Sequence, residues 1–171
     1  MKVTGDTIPV TELITAVKNS VKRAGVSRTA SATGLRVATV QLILRVVASE
    51  TTGGGLDIRV PVVGMRLRLS GKITRQDTHA LDITLRPPAQ DPGHELRSGS
   101  VEDALVDAIN TIRALVASAA EGDDPWGLDA GTVDISFVVT RAGTLSLGID
   151  GELSHEISHT LRLGLVAGPR S

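Results

Sequence analysis

Apolar residues recur along this chain with two different periods. From Val10 to Ala24, and again from Val101 to Val116, they return every three or four positions, which is the spacing of a helix with one buried face. Behind each helical segment the period changes to two, which is typical of strands that bury one face. The pattern predicts three strands after each helix, at 35–49, 56–72 and 78–86 in the first half and at 132–140, 144–153 and 157–166 in the second.

The two halves also align with each other. Gly71–Leu85 matches Gly151–Leu165 at an offset of 80 without a gap, and Leu13–Val17 matches Leu105–Ile109 at an offset of 92. Self-similarity of this kind indicates an internal duplication. We therefore predict an α+β fold made of two αβββ units, with one helix per unit packed on one face of antiparallel sheets.

The duplication divides the chain into three parts. Residues 1–88 form the first unit, and residues 100–171 form the second, whose first hairpin is shorter. Residues 89–99 lie between them, and the Pro and Gly content around this stretch is typical of a linker. We expect the two units to pack as one compact body related by a pseudo-twofold.

The alternation assigns strand residues to faces. Even-numbered positions from Ala38 to Val46 share one face of the first strand. In the second strand the apolar positions are even up to Val62 and odd from Met65. Because one face stays buried through such a change only when a residue is inserted, we predict a β-bulge at Gly64.

The composition limits the chemistry that is available. Apolar residues make up 41% of the 171 residues, and with one Trp and one Phe as the only aromatics the core must be aliphatic. The absence of cysteine excludes disulfides and thiolate catalysis. The sequence has no apolar stretch approaching the roughly 20 residues of a membrane helix, and its first residues lack a secretory signal. We expect a cytoplasmic protein.

Charge is distributed unevenly between the halves. Residues 1–92 carry 13 Lys and Arg against 7 Asp and Glu, or +6, whereas residues 93–171 carry 5 against 12, or −7. Arg66, Arg68 and Lys72 form a cationic stripe on the outer side of the second predicted strand. A solvated face, or one that meets the acidic second unit of the same chain, is favoured over nucleic-acid binding, and the chain lacks stacking aromatics for single strands. A nucleic-acid-binding module remains the alternative.

The segment SHEISHTLRL, residues 154–163, contains the H-E-x-x-H spacing of zinc peptidases. That motif works on a helix, but the apolar positions that follow His159 alternate as in a strand. In an extended chain His155 and His159 stand about 13 Å apart, too far for two imidazoles on one zinc. We interpret the match as fortuitous and expect no metal, no cofactor and no catalytic residue here.

His79 and His159 occupy the same position in the aligned halves. Such histidines can serve as a ligand or a base, and a hydrolase that uses them is the third hypothesis. We favour the other interpretation, in which each lies at the rim of the core with one ring nitrogen bonded to the backbone.

Three stretches of the first half, IPVTELITAVKNSVKRA, ATVQLILRVVASETTGGGLDIRVPVVG and THALDITLRPP, together resemble the bacterial family called trypsin-co-occurring domain 2. The resemblance runs from Ile8 to Pro88. Residues 101–167 look like a degenerate tandem partner, which lacks the Gly-rich turn and the closing prolines.

The resemblance implies a context and brings no catalytic residues with it. Members are associated with trypsin-like peptidases and nucleotide-driven modules in bacterial conflict systems, as adaptor or recognition units. It therefore implies a non-catalytic adaptor that binds a protein partner, either a trypsin-like peptidase or an associated NTPase module. Exposed edge strands also offer a route to a homo-oligomer.

Overall fold

The structure is a computed structural model that describes residues 1–25, 35–51, 53–62, 78–87, 102–119, 129–147 and 158–167. Two helices and seven strands lie within these ranges, which confirms the α+β class. They are β1 (Thr7–Pro9), α1 (Val10–Arg23), β2 (Leu35–Glu50), β3 (Leu56–Pro61), β4 (His79–Leu85), α2 (Asp103–Ala119), β5 (Ala130–Val139), β6 (Leu145–Leu147) and β7 (His159–Ala167).

The described strands connect into one antiparallel sheet with the order β1-β3-β2-β7-β5-β6, and β4 pairs with β2 beside this path. The long strand β2 pairs with β3 near its end, with β4 along Val40–Val46 and with β7 along Leu35–Ile43. The β2–β7 ladder joins a strand of the first half to a strand of the second, so one sheet contains both halves.

A single hydrophobic cluster includes residues from both halves. Its inner members from the sheet are Val40, Leu42, Leu44 and Val46 of β2 and Leu161, Leu163 and Leu165 of β7. Those from the helices include Leu13 and Val17 of α1 and Leu105 and Ile109 of α2. Each such aliphatic side chain contributes about 1.5–3 kcal/mol when it is fully buried. The core is thus almost wholly aliphatic.

The start of β2 differs from the predicted face. Val37 is buried in place of Ala38, because the register shifts between Val37 and Thr39, where β2 carries an extra residue opposite Gly164. A Cβ on Gly164 would collide with the Thr39 hydroxyl, so this close approach requires glycine. The alternation did not reveal this bulge, because Val37 and Ala38 are both apolar and the pattern does not show which of them is buried.

Other predicted features are only partly described. The predicted strands at 56–72 and 144–153 are described as far as Pro61 and Leu147. The predicted bulge at Gly64 and most of the linker at 89–99 lie outside the described residues. Strand β1 was not predicted, because three residues are too few to show a period of two.

A chain of buried polar contacts joins the helices to β6. The Ser20 hydroxyl of α1 donates to the carbonyl of Ala16 at 2.8 Å and accepts the N–H of Glu102 at 2.9 Å. The Glu102 carboxylate, itself buried ahead of α2, accepts the N–H of Leu145 at 3.0 Å. An orphaned buried donor costs about 1–3 kcal/mol, so this chain holds the end of α1, the start of α2 and the start of β6 together.

The β2–β3 and β5–β6 hairpins close with the same turn. In Thr51–Gly55 the N–H of Thr51 donates to Gly55 at 2.8 Å and that of Gly54 to Thr51 at 3.0 Å. In Thr140–Thr144 the corresponding bonds, Thr140 to Thr144 and Gly143 to Thr140, measure 2.8 and 2.9 Å. Gly54 and Gly143 have φ of 80° and 74°, a left-handed conformation that glycine adopts without strain.

The two turns differ in their surroundings. The extended N-terminal segment lies across the second turn, where a Cβ on Gly143 would collide with the carbonyl of Met1 and approach Val3 at 3.3 Å. At Gly54 the same Cβ would meet nothing within 4 Å. The second turn is therefore packed against the start of the chain, and the first faces solvent.

This difference makes Gly143→Ala and Gly54→Ala a matched pair. Both variants place a side chain at positive φ, which costs about 1–2 kcal/mol. Gly143→Ala additionally drives a methyl group into Met1, and overpacking of this kind costs about 1–3 kcal/mol more. Urea unfolding should show the larger loss of stability for Gly143→Ala. Equal losses would show that the N-terminal segment does not pack on the second turn.

Candidate functional site

The two recurrent histidines start the strands that flank β2. His79 is the first residue of β4 and pairs with Val46, whereas His159 is the first residue of β7 and pairs with Phe137 of β5. Strand β2 lies between β4 and β7, so two interstrand spacings of about 4.8 Å separate the two backbones. Although the two histidines hold corresponding ladder positions, they do not meet in one site.

His159 is buried, with 1% of its surface exposed. Its Nδ1 accepts a hydrogen bond from the backbone N–H of Arg45 at 3.1 Å. The β2–β7 ladder ends at the pair of Ile43 and Thr160, so the imidazole satisfies a β2 donor just beyond the last ladder pair. The ring also lies beside that of Phe137, with centroids 5.2 Å apart. These contacts place His159 where β2 leaves β7.

The hydrogen bond assigns the neutral tautomer of this ring. Because Nδ1 accepts, the proton resides on Nε2, which is buried without a partner. Burial lowers the pKa of His159 to about 4, and the positive charge of Arg45 adds to the effect. The side chain is therefore uncharged at neutral pH, and its one basic lone pair is already used by the backbone.

His79 has a different environment, although it occupies the corresponding position. It is the first residue of β4 and is exposed, as are Ala80 and Asp82 of the same strand. The alignment of the halves finds both histidines, but it does not predict that one is buried and the other exposed. That difference depends on which strands lie beside each histidine in the folded sheet.

The remaining residues singled out from the sequence lie outside the described ranges. These are His155 of the H-E-x-x-H segment and the cationic stripe of Arg66, Arg68 and Lys72. His159 itself lies in a strand rather than on a helix. In the part of the chain that the structure describes, no group of three or more His, Asp and Glu side chains could hold a metal ion.

The outer face of the sheet carries a row of polar side chains across four strands, in the order Asp82, Gln41, Arg162 and Asp134. Gln41 Nε2 lies 2.9 Å from both carboxylate oxygens of Asp82. Arg162 donates from Nε and one terminal nitrogen to Asp134, each at 2.8 Å. The hydrogen bonds that Arg162 donates lower the pKa of Asp134, and the same bonds raise the pKa of Arg162.

This row was not predicted, although its members occupy the polar positions of the alternation. The side chains of Arg162 and Asp134 are nearly half exposed, so solvent screens their attraction and the pair adds little to stability. Because Arg162 is neutralised by Asp134, and Asp82 adds a further negative charge, the row is a poor platform for a phosphate backbone.

Two helices packed on an antiparallel sheet place the protein in the α+β class. Of its two recurrent histidines, His159 is buried and His79 is exposed. Residues 8–87, which contain α1, β2, β3 and β4, match the family model of trypsin-co-occurring domain 2. The resemblance seen in the sequence is thus confirmed for the first half. Neither a curated protein nor a solved structure matches the chain. Among the described helices, none is long and apolar enough to cross a membrane.

The environment of His159 predicts a pH dependence of stability. As the pH falls from 6.5 towards 4, the unfolded chain binds the proton first, so the folded state loses stability. The loss from this residue reaches about 3 kcal/mol near pH 4. In His159→Asn, which offers an acceptor but does not titrate, this part of the dependence should disappear, whereas His79→Asn should retain it.

Urea unfolding between pH 4 and pH 7 measures these differences, and an NMR titration of the wild-type histidines provides a second reading. One imidazole should remain neutral to about pH 4. Ordinary titration of every histidine near 6.5 would contradict the burial of His159.

Proposed function

We propose that the protein is a non-catalytic adaptor in the cytoplasm of a bacterium, within a conflict or signalling system. Its partner is a trypsin-like peptidase or a nucleotide-driven module. The observation that carries the proposal is the match of residues 8–87 to a domain family named for its co-occurrence with trypsin.

The environment of His159 supports a role in binding rather than catalysis. A general base must reach the proton that it abstracts within hydrogen-bond distance. His159 is buried, and its basic nitrogen is bonded to Arg45. His79 stands apart on the other side of β2. The described geometry therefore gives no support to a hydrolase that uses the two histidines together.

The division into two repeats, 1–88 and 100–171, is a further part of the proposal. In both halves a helix is followed by a hairpin, and a third strand pairs with the first strand of that hairpin. The matching turns at Thr51–Gly55 and Thr140–Thr144 support a duplication, after which the second copy lost the Gly-rich turn. A pseudo-twofold body with unlike charges on its halves would present two different surfaces to partners.

Charge favours one alternative function. The excess of basic residues in the first half, including Arg66, Arg68 and Lys72, suits a nucleic-acid-binding module. Such binding depends steeply on salt, since each neutralised phosphate releases counterions. An affinity for DNA or RNA that is strong at physiological salt and falls steeply as the salt concentration is raised further would favour this alternative.

The double variant Arg66→Ser/Arg68→Ser tests the adaptor role. Calorimetric titration with the trypsin-like peptidases and associated NTPases of the same bacterium should identify a partner. The variant should bind that partner at least tenfold more weakly, because charges at the rim of an interface steer and orient the partner. Its melting temperature should stay nearly unchanged, because the alternation of apolar residues predicts both arginines on the outer side of the strand.

Arg86→Ser/Arg141→Ser is the matched control, since it removes the same charge from exposed sites. It should bind as the wild type does. If no peptidase or NTPase binds, or if the first double variant abolishes nucleic-acid binding that is strong at physiological salt, the adaptor proposal fails.

A further inference from the structure

Among the described residues, the outer edge of β3 is only partly paired. Arg59 pairs with Val47 of β2 and with Pro9 of β1, so β1 and β2 lie on opposite edges of β3. Strand β1 covers the outer edge from Arg59 to Pro61 and stops there, because the chain turns into α1 at Val10. Within the described ranges no strand pairs with the outer edge of Leu56–Ile58. This short open edge presents backbone groups for another strand.

Leu56 stands at the start of this edge and is 69% exposed. Among the described residues, the other large hydrophobic side chain with comparable exposure is Leu115 of α2, at 65%. A single exposed leucine is common on protein surfaces and does not by itself indicate a binding site. Beside unpaired backbone, however, it offers the apolar contact that a docking strand needs.

The turn next to Leu56 is held in one conformation. The Thr51 hydroxyl donates to the carbonyl of Gly55 and accepts the N–H of the same residue, both at 3.0 Å. The backbone bonds of Thr51 and Gly54 close the turn from the other side. These hydrogen bonds restrain the backbone next to Leu56, which reduces the conformational entropy that a docking partner would have to remove.

The second hairpin shows how such a turn is covered. Leu145 holds the position of Leu56, since each is the first residue after the turn and pairs with the last residue before it. Leu145 is only 5% exposed. The N-terminal residues Met1 and Val3 pack against Gly143 in this turn. Among the described residues, the chain therefore contains one copy of this turn that the N-terminal residues cover and one copy, at Gly54, where a Cβ would meet nothing within 4 Å.

We propose that the edge formed by Leu56–Ile58, beside Gly54 and Gly55 of the preceding turn, receives an extended segment of a protein partner, which adds as a strand beside β3 and covers Leu56. The inference rests on the proposed adaptor function and names the surface that function would use. Backbone hydrogen bonds to the edge supply affinity in this mode, and the side chain that covers Leu56 supplies specificity.

The chemistry of the edge indicates which segment fits. Asp57 and Arg59 lie 3.4 Å apart and largely cancel each other's charge, so neither a phosphate nor a strongly charged peptide is favoured. No aromatic residue is near in sequence to stack on a base. The suitable occupant is an extended peptide with alternating apolar residues.

A displayed library of random twelve-residue peptides is the probe. Panning against the wild-type protein should enrich peptides with alternating apolar residues. Their affinity should fall at least tenfold in Leu56→Ser and remain unchanged in Leu115→Ser, which removes a leucine of similar exposure from α2. Peptide binding should also slow hydrogen exchange of amides within Leu56–Ile58. Circular dichroism and melting curves confirm that both variants are folded, as expected for exposed positions.

Three outcomes would overturn the proposal. They are the enrichment of no peptide, equal binding of the enriched peptides to Leu56→Ser, and a concentration-dependent dimer of the wild type that Leu56→Ser dissolves. The third would assign the edge to a second copy of this chain. The result is independent of the peptidase test, because peptides can bind at Leu56 even when no peptidase or NTPase binds the protein.

Discussion

The pairing of β2 on both edges is the constraint on which the rest of the structure depends. From Val40 to Ile43 the strand lies between β4 of its own half and β7 of the other. A strand bonded on both sides has no free backbone donors in that stretch, so its apolar residues are committed to one face. Leu42 therefore lies between β4 and β7, and the two helices share one core with it.

The buried histidine and the exposed hairpin both lie just beyond the end of the β2–β7 ladder. His159 caps a backbone donor of β2 just past the last β7 pair. Beyond it, β2 continues with β3 as a hairpin that ends in an exposed turn and Leu56. The same geometry thus buries His159, whose pKa is strongly lowered, and leaves the outer edge of Leu56–Ile58 unpaired among the described residues. For a protein proposed to work by binding, the open edge matters more than the buried histidine.

Local pattern was sufficient for the long elements. The period of apolar residues placed α1 at 10–24, against Val10–Arg23 in the structure, and the first strand at 35–49, against Leu35–Glu50. It failed where a position depends on distant neighbours. The exchange of Ala38 for Val37 follows from Gly164 on another strand, and the burial of Glu102 follows from its bonds to Ser20 and Leu145.

The candidate site shows the same limit. The alignment of the halves found His79 and His159, because the same residue type occupies corresponding positions of two strands. Their environments could not be read in this way, since coverage by β5, by Phe137 and by the end of β2 is a property of the assembled sheet. The row from Asp82 to Asp134 was likewise hidden, because four separate strands contribute to it.

Native-state hydrogen exchange tests the joining of the halves most directly. If the β2–β7 ladder makes them one cooperative body, the slowest amides of β2, β5 and β7 will exchange with the same free energy of opening and the same dependence on denaturant. Amides of β5 and β7 that open at a clearly lower free energy than those of β2, with a shallower denaturant dependence, would show that the second half unfolds alone and would contradict the shared sheet.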